Sequence, residues 1–171
     1  MFIINLIFIS ILGIRFYSLF ISIQHEKYLI KRGAIQYGKK NSLLLSVTHI
    51  VFYIASIIES NINNTAFNGV SQIGLAILVF SIVMLFYVIY ELKEIWTVKI
   101  YVLPDHQINH SFLFKYIKHP NYFLNIIPEL VGLSLLCQSK YTAIIGIPIY
   151  LAILTVRIKQ EERAMQHLFK S

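Results

Sequence analysis

Residues Ser71–Tyr90 read Ser-Gln-Ile-Gly-Leu-Ala-Ile-Leu-Val-Phe-Ser-Ile-Val-Met-Leu-Phe-Tyr-Val-Ile-Tyr, a run without one charged side chain. A stretch of about 20 such residues is long enough to cross a bilayer as a helix. Lipid offers no partners for backbone N–H and C=O groups, so a helix satisfies them internally. Four further candidates lie around this run. Phe2–Ile23 is broken only by Arg15, and Ser42–Ile58 follows. Asn121–Cys137 is short and carries Pro128 and Glu129, and Tyr141–Val156 contains Pro148. The prolines are expected to kink their helices. The short Gln138–Lys140 connection makes the last two spans an antiparallel hairpin. The sequence thus predicts an all-α polytopic membrane protein with about five transmembrane helices. One integral membrane domain covers 1–171, with three helices in 1–90 and a loop, hairpin and tail in 91–171.

Composition supports this class. The 171 residues are 57% hydrophobic and only 13% charged, against about 25% charged in an average soluble chain. A soluble domain of this size cannot hide so many apolar side chains. Disorder is excluded too, because it needs low hydrophobicity. A single cysteine, Cys137, rules out an internal disulfide and a Cys-rich zinc site. The net charge of +7 is explained by topology and lipid headgroups without nucleic acid. No Lys or Arg precedes Arg15 and no small-residue cleavage site follows, so the first span is expected to remain in place.

Charge sets the orientation. The first loop, Gln24–Asn41, carries Lys27, Lys31, Arg32, Lys39 and Lys40 against Glu26, a net of +4. The second, Glu59–Val70, has only Glu59, and the fourth only Lys140. The third, Glu91–Pro120, has four Lys against Glu91, Glu94 and Asp105. The tail from Arg157 has four basic residues against Glu161 and Glu162. The positive-inside rule then puts loops one and three and the tail in the cytoplasm, with the N-terminus outside. Gly33 and Gly38 punctuate the first loop, which has room for a short interfacial helix.

Two clusters carry possible chemistry. Lys118-His119-Pro120-Asn121-Tyr122 sits at the mouth of the fourth span. Pro120 suits a first helical turn, whose N–H groups could then face an anion. His119 titrates near neutrality and suits a base or hydrogen-bond partner. The second cluster, Arg157-Ile-Lys-Gln-Glu161-Glu162-Arg163, closes the fifth span, with Arg157 and Glu161 on one helix face. Taken singly, each reads as an ordinary helix end. The topology brings both to one membrane side, at the mouths of adjacent helices.

Other signals are weaker. Arg15 and Glu129 each cost roughly 2.5–3.5 kcal/mol at a helix centre, and are expected to pair or to line a polar cavity. Trp96 reads as an interface-belt residue. Asp105, His106 and His110 have helical spacing but too few ligands for a metal site. Cys137 reads as packing. The glycines never cluster, so a Rossmann or phosphate-loop nucleotide site is unsupported.

Lys118-His-Pro-Asn-Tyr122, a hairpin, then Arg157-x-x-x-Glu161-Glu162 resembles the isoprenylcysteine carboxyl methyltransferase family. Trp96-Thr97 before a β-branched stretch and Pro104 is similar to its bacterial branch, and the likeness runs from Glu91 to the C-terminus. Membrane phospholipid N-methyltransferases are similar at the same places. The resemblance implies a small helical membrane enzyme using S-adenosyl-L-methionine without a Rossmann domain. It implies a cytoplasmic cofactor pocket formed by the last two helices with the flanking loop and tail, in a bacterial cell membrane. Lys118, His119, Pro120, Tyr122, Glu161 and Glu162 would bind the cofactor. Arg157, Glu162 and His119 would act in catalysis, Arg157 toward the acceptor. A lipophilic or lipidated substrate would enter from the bilayer. Lys118 stands where many members have Arg, losing the bidentate fork. Two glycines common in the family are replaced, by Phe112–Phe114 in one place and Lys93–Ile95 in the other.

Methyl transfer from a sulfonium is a direct displacement, so positioning and water exclusion dominate. A carboxylate acceptor needs no base, whereas a hydroxyl, as on an alkylpyrone-type polyketide, does. Arg157→Ala is expected to abolish turnover and leave the fold. N-methylation of phosphatidylethanolamine-type lipids is an alternative acceptor chemistry. A non-catalytic scaffold keeping the fold is an alternative class. A channel fits poorly, with only Arg15 and Glu129 at depth.

Overall fold

The computed structural model describes residues 1–103 and 116–165. Pro104, the Asp105, His106 and His110 group, Phe112–Phe114 and His167 lie outside the described residues. Among the described residues, four helices are long and apolar enough to cross a membrane. The fifth expected span, Asn121–Cys137, is a shorter apolar helix. At 1.5 Å per residue it reaches about 25 Å, less than the ~30 Å hydrocarbon core.

Helix α1 (Phe2–Lys31) continues well past its apolar run. The chain then turns at Gly33, whose φ is +82°, into strand β1 (Ile35–Tyr37). The interfacial helix expected in the first loop is therefore replaced by a strand. It pairs antiparallel with β2 (Ile100–Val102), Ile35 opposite Val102 and Tyr37 opposite Ile100. Both strands, Ile35-Gln-Tyr37 and Ile100-Tyr-Val102, carry the β-branched and aromatic residues that favour pairing. The ribbon joins the first and third loops at one end of the bundle.

Helix α2 (Lys39–Ile62) starts after Gly38, which has φ +61°. Gly38 lies against the flexible end of the Gln160 side chain, and it is the positive φ of the turn that calls for glycine. Helix α3 (Gly69–Leu92) is capped by Asn68, which accepts from the N–H groups of Val70 at 3.0 Å and Ser71 at 3.2 Å. A 3₁₀ turn, Lys93–Ile95, ends it. Trp96 then tucks against Leu85 and Val88 and is buried. It is not an interface-belt residue, because the turn folds its indole back onto α3.

A π turn (Asn121–Ile126) leads into α4 (Ile127–Cys137), and α5 (Lys140–Met165) follows. Pro128 has no N–H, so the carbonyl of Leu124 loses its usual donor four residues on. The preceding turn widens, and the Ile127 N–H reaches back to the Tyr122 carbonyl.

The core follows the sequence pattern. α3 lies on α4 in backbone contact at Gly74 and Gly132, where a Cβ on either would strike the opposite helix. Small residues at crossings are how membrane helices approach closely. α2 packs on α5, and Glu59 of α2 caps α5 by accepting from the Thr142 N–H at 2.9 Å and the Tyr141 N–H at 3.0 Å. Phe8, Phe52, Leu78, Leu133, Cys137 and Tyr150 fill the centre. Ile9, Leu43, Ile50, Ile73, Phe80 and Ile144 face outward, as lipid requires of a membrane bundle.

Candidate active site

The polar end of the bundle gathers both clusters named from sequence. The Lys118–Tyr122 segment enters the π turn, while Arg157, Glu161 and Glu162 come from the last turns of α5. The antiparallel hairpin sets these segments side by side. The Tyr122 hydroxyl donates to Glu161 Oε2 at 2.5 Å. Arg157 Nε donates to the same hydroxyl at 3.2 Å. Helical spacing on α5 thus lets Arg157 and Glu161 grip one tyrosine from two sides.

His119 stacks on Tyr122 with ring centroids 5.7 Å apart and 24° between planes. Its Nδ1 lies 3.6 Å from Glu161 and its Nε2 3.4 Å from Glu162. Burial opposes the charged imidazole, but hydrogen bonds and charge from Glu161 and then Glu162 outweigh it, holding its pKa above the ordinary value. Lys118 Nζ donates to Glu162 Oε1 at 2.5 Å from an exposed position. Glu161 therefore faces inward to tyrosine and histidine, and Glu162 outward to lysine and histidine.

The raised His119 value has a sign that can be checked. Folding stabilises its protonated form, so that contribution is complete below the unfolded imidazole value. It is lost as pH rises through the higher folded value. The melting temperature of the native protein should therefore exceed that of His119→Gln most in weak acid. The gap should narrow above neutrality. A gap independent of pH would remove the charged His119–carboxylate interaction.

Arg157 is only 3% exposed. Besides Tyr122, it donates through Nη1 to Ser42 Oγ at 2.5 Å and through Nη2 to the Val98 carbonyl at 2.7 Å. These contacts tie α5 to α2 and to the segment before β2. Every nitrogen of the fork is engaged within the protein. The resemblance places it toward the acceptor or the reacting centre. Ser42 and Val98 carried no signal, because each meets Arg157 only through the tertiary packing.

Pro120 is buried just before the π turn. The N–H groups of Tyr122 and Phe123 donate to the His119 carbonyl at 3.1 and 3.2 Å. They do not form the outward anion cradle expected of that helix start. Among the described residues no group of three or more His, Cys, Asp or Glu is placed to hold a metal ion.

A second polar group lies deeper. Arg15 and Glu129 form an ion pair, and Glu129 also accepts from the Tyr53 hydroxyl. The pairing expected from sequence is present. His49 joins it, with Nδ1 3.2 Å from the Tyr150 hydroxyl and Nε2 3.8 Å from Glu129. His49, Tyr53 and Tyr150 were not legible as partners, because one sequence does not show which helix faces meet.

The donor set at the polar end has a definite chemical preference. Two carboxylates beside an aromatic ring suit a cation such as a sulfonium or ammonium. The neighbouring Lys118 suits a carboxylate. A ligand carrying both a cationic centre and a carboxylate would suit those residues.

Two relatives and one family are similar to this chain. An uncharacterized protein of Haemophilus influenzae is 74% identical over 166 residues, 97% of this chain and 96% of that protein. The uncharacterized protein YpbQ of Bacillus subtilis is 28% identical over 144 residues, 84% of each. No solved structure gives a significant match. The sequence model of the isoprenylcysteine carboxyl methyltransferase family matches residues 73–167. That range holds α3 almost entire, the π turn, the hairpin and all six side chains from Lys118 to Glu162 just described. The chain belongs to the isoprenylcysteine carboxyl methyltransferase family, a family of membrane methyltransferases.

Proposed function

We propose that this protein is an S-adenosyl-L-methionine-dependent methyltransferase that methylates an oxygen of a lipophilic acceptor at the polar end of the bundle. The observation that carries the reading is the convergence of Lys118, His119 and Tyr122 on Arg157, Glu161 and Glu162. When bound, the cofactor supplies an activated methyl group on sulfur.

The residues have separable tasks. Glu162 and Lys118, both open to solvent, would bind the cofactor's charged amino-acid end. His119, Pro120 and Tyr122 would form the wall beside it. Glu161 fixes the rotamers of Tyr122 and His119. His119 could accept a proton from a hydroxyl acceptor, whereas a carboxylate acceptor needs no base. Arg157 holds the wall together, and contributes to catalysis through geometry. The apolar outer faces of the helices let a lipophilic substrate approach from the bilayer. The basic first loop and the positive-inside rule favour a cytoplasmic site in a bacterial membrane.

Calorimetry with S-adenosylhomocysteine on the detergent-purified protein tests this reading. Saturable binding is expected, weakened at least tenfold in Glu162→Ala. A folded native protein that gives no heat at millimolar ligand would sink the reading and favour a scaffold. If binding holds, mild base identifies a carboxylate acceptor, since it cleaves a methyl ester and leaves a methyl ether or an N-methyl group.

A further inference from the structure

The inner face of the π turn and α4 carries a polar stripe, Asn121, Asn125 and Glu129, four residues apart. Its lower end is Glu129, which is 0% exposed and held by Arg15 and Tyr53. Its upper end is Asn121, next to Tyr122 of the site. The middle connects the two. Arg15 bonds Glu129 through Nε and donates to Asn125 Oδ1 through Nη2 at 2.8 Å. The Asn125 amide then donates from Nδ2 to Asn121 Oδ1 at 3.1 Å. Asn125 is 1% exposed, so water does not compete for these bonds.

This arrangement is more than a clamp between α1 and α4. An apolar pair of similar volume joins two helices as well as a buried ion pair does, and often better. Apolar packing sets rotation about a helix axis through shape. Directional bonds add a fixed angular reference, and these run into the widened turn that aims Tyr122 at Glu161 and Arg157. The π turn closes its backbone bonds five residues apart instead of four, so it departs from the α-helical frame of α4.

We propose that Arg15 and Glu129 are positioning residues for the site: through Asn125 and Asn121 they hold the π turn so that the Tyr122 hydroxyl reaches Glu161 and Arg157. The proposal deepens the methyl-transfer reading and rests on it for its catalytic consequence. It concerns residues that touch neither cofactor nor acceptor.

The test replaces the pair as a pair. Arg15→Leu/Glu129→Leu removes both charges while keeping apolar bulk. Arg15→Lys keeps the charge and loses the fork that reaches both Glu129 and Asn125, and serves if the double variant does not fold. Three readouts are taken on full-length protein in detergent: thermal melting, kcat and KM, and the His119 titration by NMR with labelled histidine, assigned by His119→Gln. Expected for a folded variant are a kcat at least tenfold lower, a KM within about threefold, and a displaced His119 midpoint, because its stacking partner Tyr122 moves. A folded variant with native kcat and an unmoved His119 midpoint would overturn the proposal and leave the pair purely structural. If native protein fails to bind S-adenosylhomocysteine while the variant still displaces the His119 midpoint, the methyl-transfer reading falls and the positioning role stands.

Discussion

Arg157→Ala is expected to lower turnover at least a hundredfold and also to lower the melting temperature. Sequence alone suggested that only the first would follow. The difference comes from burial. The guanidinium donates to Tyr122, Ser42 and the Val98 carbonyl, and is only 3% exposed. Alanine leaves those oxygens without their donor in a closed site, and a buried group left unsatisfied costs about 1–3 kcal/mol. Tyr122 loses one of its two holders, so its ring is free to leave His119. The segment before β2 loses its tether to α5. Arg157→Lys retains the charge, but a single ammonium does not reproduce the planar fork. It should therefore recover part of the stability and little of the rate. Turnover and melting measured in one detergent check both arms. A folded Arg157→Ala protein with native turnover would remove Arg157 from the working site.

How much of this was readable without coordinates follows from range. The apolar runs gave the helices, since length and hydropathy are local properties. The loop charges indicated which segments share an end, and the β1–β2 pairing brings two of those segments together. Lys118–Tyr122 and Arg157–Glu162 met because they flank one short hairpin. Helix rotation was beyond reach. The α1 run is apolar on every side, so nothing marks Arg15 as facing inward except the cost of the alternative. Ser42 looked like the start of a span and proved to be an Arg157 acceptor. Trp96 looked like a belt residue and is buried, because its place depends on a 3₁₀ turn that no periodicity announces. The π turn is a similar case. Pro128 signalled a break, but the form of the break follows from which carbonyl lost its donor.

Glu129→Ala is expected to destabilise the protein by about 3–5 kcal/mol, the usual cost of stripping one partner from a buried ion pair. Three features of its surroundings set the size. Glu129 is 0% exposed, so water does not replace the lost carboxylate. Arg15 would keep its charge at a depth where lipid and apolar side chains surround it. The Tyr53 hydroxyl would lose its acceptor as well. Glu129→Gln should cost less, because the amide oxygen still accepts from Tyr53 and Arg15 although the charge is gone. Adding Arg15→Leu to Glu129→Ala should restore part of the loss, since it removes the stranded cation. That sign is the reverse of additivity and identifies a direct pair. Thermal melting of the three variants in one detergent measures it. Were Glu129→Ala to melt with the native protein, the deep cluster would be hydrated, and the rotation of the π turn would have to be fixed by packing alone.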